Sequence, residues 1–312
     1  AAEVAKTYAT RHSTRFVDER EFQGDLPAIM QAMDQPTIDG LNTWFVAKAA
    51  KEKGLKVAIS GLGGDELFCG YPSFQDIPKW VGRVGFAAGA PSLGRAARIV
   101  GGPLLAALGA NSKAAGMLEY GGTYPGAYLL RRGLFMPWQL REILARDVAE
   151  EGLRRLAPLA LIEREMTPPP ASPTATVSAL ESALYMKNQL LRDTDWASMA
   201  HSIEVRTPLV DAVLLAKAAG VAAASGLPLS KSLIAEAPAR PLPALVKTRA
   251  KTGFMTPIAQ WRRRSNIGRM DGGAAWTSAK TYWARDWAKL LLADGDFLQR
   301  DMLARPPLAS AE

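Results

Sequence analysis

The sequence predicts an α/β fold that is predominantly helical, and three observations carry that expectation. An apolar, β-branched stretch from Lys56 to Ile59 runs directly into a glycine-rich turn at Gly61, Gly63 and Gly64, the pattern of a strand that hands the chain to a helix. With the segments before it, this strand completes an αβααβ order, which favours a parallel sheet flanked by helices. From about Trp80 to Trp261, strand-like alternation is scarce and Ala, Leu, Arg and Glu recur at helical spacing, so a large helical region follows.

Taken in order, Glu3 to Thr10 predicts a helix and Thr14 to Val17 a short strand. Leu26 to Ala32 and Leu41 to Glu52 then predict two helices on their apolar spacing. The strand at Lys56 to Ser60 follows Gly54 and is expected to be buried. Gly61, Gly63 and Gly64 let the backbone approach a ligand closely and leave free N–H groups at a helix start, with Asp65 and Glu66 on its first turn. In the simplest reading those acids only complement the helix dipole. Further on, the prolines of Thr167 to Pro173 form an exposed loop between a helix ending near Arg164 and a long one beginning near Thr176. Pro238, Pro241 and Pro243 interrupt the chain ahead of Lys251 and would give a mobile loop its flexible ends.

The chain has 312 residues with 48% hydrophobic content, enough to bury a sizeable core. A single cysteine, Cys69, forbids an internal disulfide and reads as a small buried hydrophobe rather than a nucleophile. No secretory leader is legible at the N-terminus, so a cytoplasmic location is expected. The apolar runs between Val84 and Leu108 are broken by glycine, proline and arginine, short of the ~18 to 20 uninterrupted residues a spanning helix needs. A membrane partner is therefore not expected. The net charge of +8 suits an anionic small molecule, and its scattered distribution argues against nucleic acid. His12 and His201 are the only histidines, too few for a histidine metal cluster or a catalytic triad.

The segment Ser60-Gly61-Leu62-Gly63-Gly64-Asp65-Glu66-Leu67-Phe68-Cys69-Gly70-Tyr71 resembles the second signature of the synthetase domain of glutamine-dependent asparagine synthetases and their relatives, the β-lactam synthetases among them. Two more segments match in order: Asp195 to Asp211, with Ser198, Met199, Glu204, Arg206 and Pro208, and Arg249 to Pro257, with Lys251, Gly253 and Phe254. Met33 to Asp39 also fits. The resemblance covers roughly Glu3 to Trp261 and implies the remnant of a parallel-sheet, adenine-nucleotide alpha-hydrolase-like (ATP pyrophosphatase) domain. On that reading residues 1–312 are a partial synthetase domain. Its nucleotide-binding α/β part is 1–75, and 76–312 form the mainly helical part carrying Lys251.

The resemblance implies ATP and Mg²⁺ as cofactors. Ser60, Gly61, Leu62, Gly63 and Gly64 would contact the nucleotide, and Asp65 would take the metal, as a hard oxygen ligand on a tight loop can. Lys251 would stabilise charge developing as an acyl-adenylate forms and collapses, with Glu66 as the other candidate catalytic residue. Asp195, Glu204 and Arg206 would line the acceptor pocket or, with Asp211, form a structural network. Partners would be a small carboxylate acceptor, aspartate or another, and a glutaminase domain supplying ammonia. Either a homo-oligomer covering exposed strand edges or local disorder is expected as well.

Two departures sharpen these expectations. The family's Ser-Gly-Gly-x-Asp-Ser pyrophosphate loop and the glutaminase domain with its N-terminal cysteine are missing from the sequence. The chain is thus expected to start inside the synthetase domain and to be inactive by itself. Leu62 stands where asparagine synthetases have a glutamate, and leucine neither accepts a proton nor binds a cation. Weight moves to an acceptor other than aspartate, such as a carboxylate on a saccharide or peptide. The alternatives are a cyclising ligase of the β-lactam synthetase kind, for which the sequence places no Tyr–Glu pair, and a degenerate domain that only binds nucleotide or a partner.

Overall fold

The structure, a computed structural model, describes residues 1–37, 39–110, 113–225, 230–240, 242–244, 246, 261 and 283–293. Its elements are α1 (Ala2–Thr7), α2 (Glu19–Ala32), α3 (Gly40–Glu52), β1 (Val57–Ile59), α4 (Gly64–Leu67), α5 (Ser73–Val84), α6 (Pro91–Ala107), α7 (Met117–Tyr120), α8 (Tyr124–Arg132), α9 (Arg146–Leu156) and α10 (Pro158–Arg164). These are followed by α11 (Pro173–Leu180), a π-helical stretch (Glu181–Leu190), α12 (Leu191–Met199), β2 (Glu204–Arg206), α13 (Ala212–Ser225), α14 (Lys231–Glu236) and α15 (Trp283–Ala293). The chain is mostly helical, with a two-stranded parallel sheet of β1 and β2. None of the described helices is long and apolar enough to cross a membrane.

Two compact units divide the chain, the first formed by Ala1–Tyr8, Ile59–Leu191 and Thr207–Arg249, the second by Ala9–Ala58, Arg192–Arg206 and Ala250–Glu312. The core of the first unit packs Phe74 and Ile77 of α5 against Ala127 and Tyr128 of α8, Ile162 of α10, and Val177 and Leu180 of α11. The core of the second gathers Phe22 and Ile29 of α2, Leu41 and Trp44 of α3, Trp196 of α12 and Trp287 of α15. Burying such side chains is worth about 1.5–3 kcal/mol each before ordering entropy is subtracted.

Several sequence expectations need correction. Residues 11–18 form no strand: Phe16 is 89% exposed, and Asp18 accepts the Glu21 N–H to cap α2. That cap starts α2 well before Leu26, despite Gly24 and Pro27. β1 is not buried, with Ile59 79% exposed. Its described ladder partner is β2, joined where the Glu204 N–H donates to the Lys56 carbonyl at 2.9 Å. The helix at Pro158–Arg164 and the long helical run starting at Pro173 match the reading of the proline loop between them.

Candidate functional site

The glycine turn after β1 belongs to the first unit, and its geometry explains its composition. Gly63 adopts φ 91°, and a Cβ there would come within 2.8 Å of the Leu209 carbonyl oxygen and 2.9 Å of Val210 Cγ2. Both the left-handed backbone and the close approach of residues 209–210 therefore demand glycine. Gly61 is the opposite case, exposed and with nothing within 4 Å of where a Cβ would be. The Ser60 hydroxyl accepts the Leu62 N–H at 3.3 Å, and the Gly61 carbonyl accepts the Gly64 N–H at 3.3 Å, which closes the turn. The helix it opens, α4, is only one turn long. Leu62 is half-buried on the turn.

Asp65 presents its carboxylate to a cation. Lys231, the first residue of α14, forms an ion pair with Asp65 Oδ1. Space for the pair comes from Gly70, where a Cβ would collide with the Asp65 carboxylate and Lys231 Cε. The preceding residue, Cys69, sits at φ 53°, in the left-handed region that glycine enters without strain.

Glu66 faces the other way, into the first unit. It is 2% exposed, its carboxylate accepts the Tyr71 hydroxyl at 2.8 Å, and the Ser178 hydroxyl donates to its carbonyl at 3.1 Å. Burial raises the carboxyl above the usual range against the opposing Tyr71 hydrogen bond, and burial likewise raises the Tyr71 phenol. Behind Tyr71, the Arg132 guanidinium lies over the rings of Tyr71 and Tyr185, at 4.6 and 3.7 Å from their centroids. Arg132 Nε donates to both oxygens of the fully buried Glu181 at 3.1 and 2.9 Å. Glu181 and Tyr185 lie on the π-helical stretch, so this irregular helix fixes the floor beneath the loop.

Asp195, Glu204 and Arg206 belong to the second unit and are all exposed. Arg206 Nε donates to Glu204 Oε1 at 2.7 Å, an exposed pair contributing well under about 1 kcal/mol. Asp211 accepts the Leu214 N–H at 2.6 Å and caps α13. Two polar residues that sequence reasoning missed are Thr37 and Asp193. The buried Asp193 accepts the Thr37 hydroxyl at 2.5 Å and the Trp196 indole N–H at 3.2 Å, and burial raises its carboxyl to about 6 against those bonds. The only sequence hint is that Thr37 lies within the matching Met33 to Asp39 segment. Lys251, Gly253 and Phe254 lie outside the described residues.

Magnesium can be tested against this chemistry. Among the described residues no group of three or more His, Cys, Asp or Glu side chains could hold a metal by itself. One carboxylate that already attracts a cation does fit magnesium delivered with a nucleotide, because Mg²⁺ commonly takes one or two carboxylates and completes its shell with phosphate oxygens and water.

The comparisons with known proteins agree with one another. The chain is 28% identical over 289 residues to the "Putative asparagine synthetase [glutamine-hydrolyzing]" of Mycobacterium bovis and of Mycobacterium tuberculosis, covering 86% of this chain and 40% of each relative. It is 28% identical over 278 residues to "Asparagine synthetase [glutamine-hydrolyzing] 1" of Bacillus subtilis, covering 84% of this chain and 40% of that protein. The chain thus spans about two fifths of the length of these relatives. No solved structure matches it significantly. The family model described as asparagine synthase matches residues 1–283, and the chain belongs to that family.

Proposed function

We propose that this chain supplies the synthetase part of an ATP-dependent, glutamine-dependent amidotransferase. A carboxylate oxygen of the acceptor displaces pyrophosphate from ATP, and ammonia from a glutaminase domain then displaces AMP to leave an amide. The observation that carries this reading is the open glycine turn beside Asp65, whose carboxylate already holds a cationic side chain. Ser60 and Gly61 would present backbone to the nucleotide. Asp65 would hold magnesium, which neutralises phosphate charge when bound. Lys231 is placed to exchange its carboxylate partner for a phosphate. Glu66 and Tyr71 would keep the loop in register from below, and Lys251 would meet the charge that develops on the leaving phosphate.

Leu62 deprives the turn of a proton acceptor, so the acceptor is a carboxylate other than aspartate, one borne on a saccharide or peptide. A cyclising ligase would need a Tyr–Glu pair facing its acceptor. Tyr71 and Glu66 form a pair, but Glu66 is almost fully buried and its carboxylate accepts the Tyr71 hydroxyl, whose ring lies against Arg132, which gives that second reading no support. The test is ammonia-dependent formation of AMP from ATP, with a panel of carboxylic acids, by the polypeptide that carries this chain. Turnover with saccharide- or peptide-linked carboxylates but not aspartate is expected. Release of ADP instead of AMP, or a clear preference for aspartate, would sink the proposal.

A further inference from the structure

Helix α6 and the turn before it leave a large apolar surface uncovered. Phe86, Leu93, Ile99, Val100, Leu104 and Leu108 are all more than half exposed, Val100 at 81% and Phe86 at 82%. The inner side of α6 is already occupied. A Cβ on Gly94 would meet the backbone of Leu118 and Glu119 at 2.6 Å, and Arg98 pairs with Glu119 at 2.5 Å while lying over the Trp138 ring at 4.3 Å. At about 100° per residue, the remaining arc from Ile99 through Val100 to Leu104 covers about 140°, roughly two fifths of the helix circumference, and carries almost nothing but apolar side chains. An apolar surface this continuous marks a contact site.

Charge identifies the occupant. Residues 77–118 contain no acidic residue and five basic ones, Lys79, Arg83, Arg95, Arg98 and Lys113. Lys79, Arg83 and Arg95 are exposed, and none of them forms an ion pair among the described residues. A second copy docked on this face would bring like charges together with no acid of the same segment to meet them. Anionic lipid offers both complements, an apolar layer for the leucines and valine and headgroup charge for the arginines and lysine.

We propose that α6 is an interfacial helix that seats the protein on an anionic membrane surface. Seating of this kind needs no spanning stretch, so the expectation of no membrane partner, which rested on spanning length, did not bear on it. The surface is separate from the glycine turn, and the inference stands whether or not the amidotransferase reading does.

Co-sedimentation of the chain with vesicles of phosphatidylcholine alone, and of phosphatidylcholine mixed with phosphatidylglycerol, tests it. Binding to the mixed vesicles is expected to exceed binding to neutral ones by roughly tenfold or more and to weaken in high salt. The double variant Val100→Asp, Leu104→Asp should lose binding by about tenfold or more, and Arg95→Gln by roughly threefold. Both variants change exposed side chains and should keep the wild-type melting curve by circular dichroism, which separates lost docking from lost folding. Equal pelleting with neutral and anionic vesicles, or no pelleting with either, overturns the proposal. So does a concentration-dependent dimer in light scattering that the double variant converts to monomer, since a second copy would then be the occupant.

Discussion

Cys69, four residues after the candidate metal ligand, occupies a left-handed backbone position, and its side chain is half-buried against the core of the first unit. A left-handed non-glycine residue costs about 1–2 kcal/mol. Replacement with valine, whose branched Cβ tolerates that backbone still less, should destabilise the protein by a further ~1–2 kcal/mol in denaturant unfolding. Cys69→Gly should stay within ~1 kcal/mol of wild type, as relief of strain offsets lost packing. Asp193 supplies a pH prediction. Its carboxyl is raised to about 6 when folded, from an ordinary value of 3.8, so the folded state binds the proton more tightly. The stabilisation this gives is complete below about pH 4 and disappears as pH rises through about 6. Asp193→Asn keeps an oxygen for the Trp196 N–H and an amide for the Thr37 hydroxyl. It should remove that component of the pH dependence and be neutral or stabilising by about 1–3 kcal/mol at pH 7. Unfolding curves from pH 4 to 7 with the same slope for both proteins would refute this account of the site. Leu62→Glu, in the polypeptide that carries this chain, should raise aspartate-dependent AMP formation; an unchanged rate would show that residue 62 does not decide the acceptor.

At the scale of elements, α2 begins where its cap is. Asp18→Ala should cost about 1 kcal/mol of stability, read from the unfolding midpoint; no change would mean that the entry to α2 is held by Phe22 and Val17 alone. The glycine turn was legible because its chemistry is local: a strand, three glycines and two acids within ten residues specify the backbone almost by themselves. The start of α2 was harder to see, since Gly24 and Pro27 masked a helix that Phe22 and Ile29 hold by packing. Thr14 to Val17 alternates like a strand but joins no ladder among the described residues. The Thr37–Asp193 bond and the Arg132–Glu181 floor under Glu66 join residues far apart in sequence, and no periodicity announces such pairs. Nor does spacing reveal which side of α6 is covered, because that helix is apolar nearly all round.

Across the whole molecule, chemistry and packing are shared between two units. The first holds the glycine turn, Asp65, Lys231 and the buried Glu66 network, while the second holds the exposed Asp195, Glu204 and Arg206. Membership of the asparagine synthase family covers most of the chain, whereas the chain covers 40% of its curated relatives. Complete amidotransfer therefore belongs to the proposal, and nucleotide capture is the part of it that these residues can be asked to perform. The net charge of +8 favours an anionic ligand without specifying one, so the discriminating variable is the carboxylate of Asp65. Isothermal titration of ATP into the wild-type chain and into Asp65→Asn, each with and without magnesium, is the most direct measurement. The account predicts saturable binding by the wild type that magnesium strengthens, and a loss of that magnesium effect by roughly tenfold or more in a variant whose melting curve is unchanged. Equal magnesium-dependent affinity in the two proteins, or no ATP binding by the wild type, would contradict it.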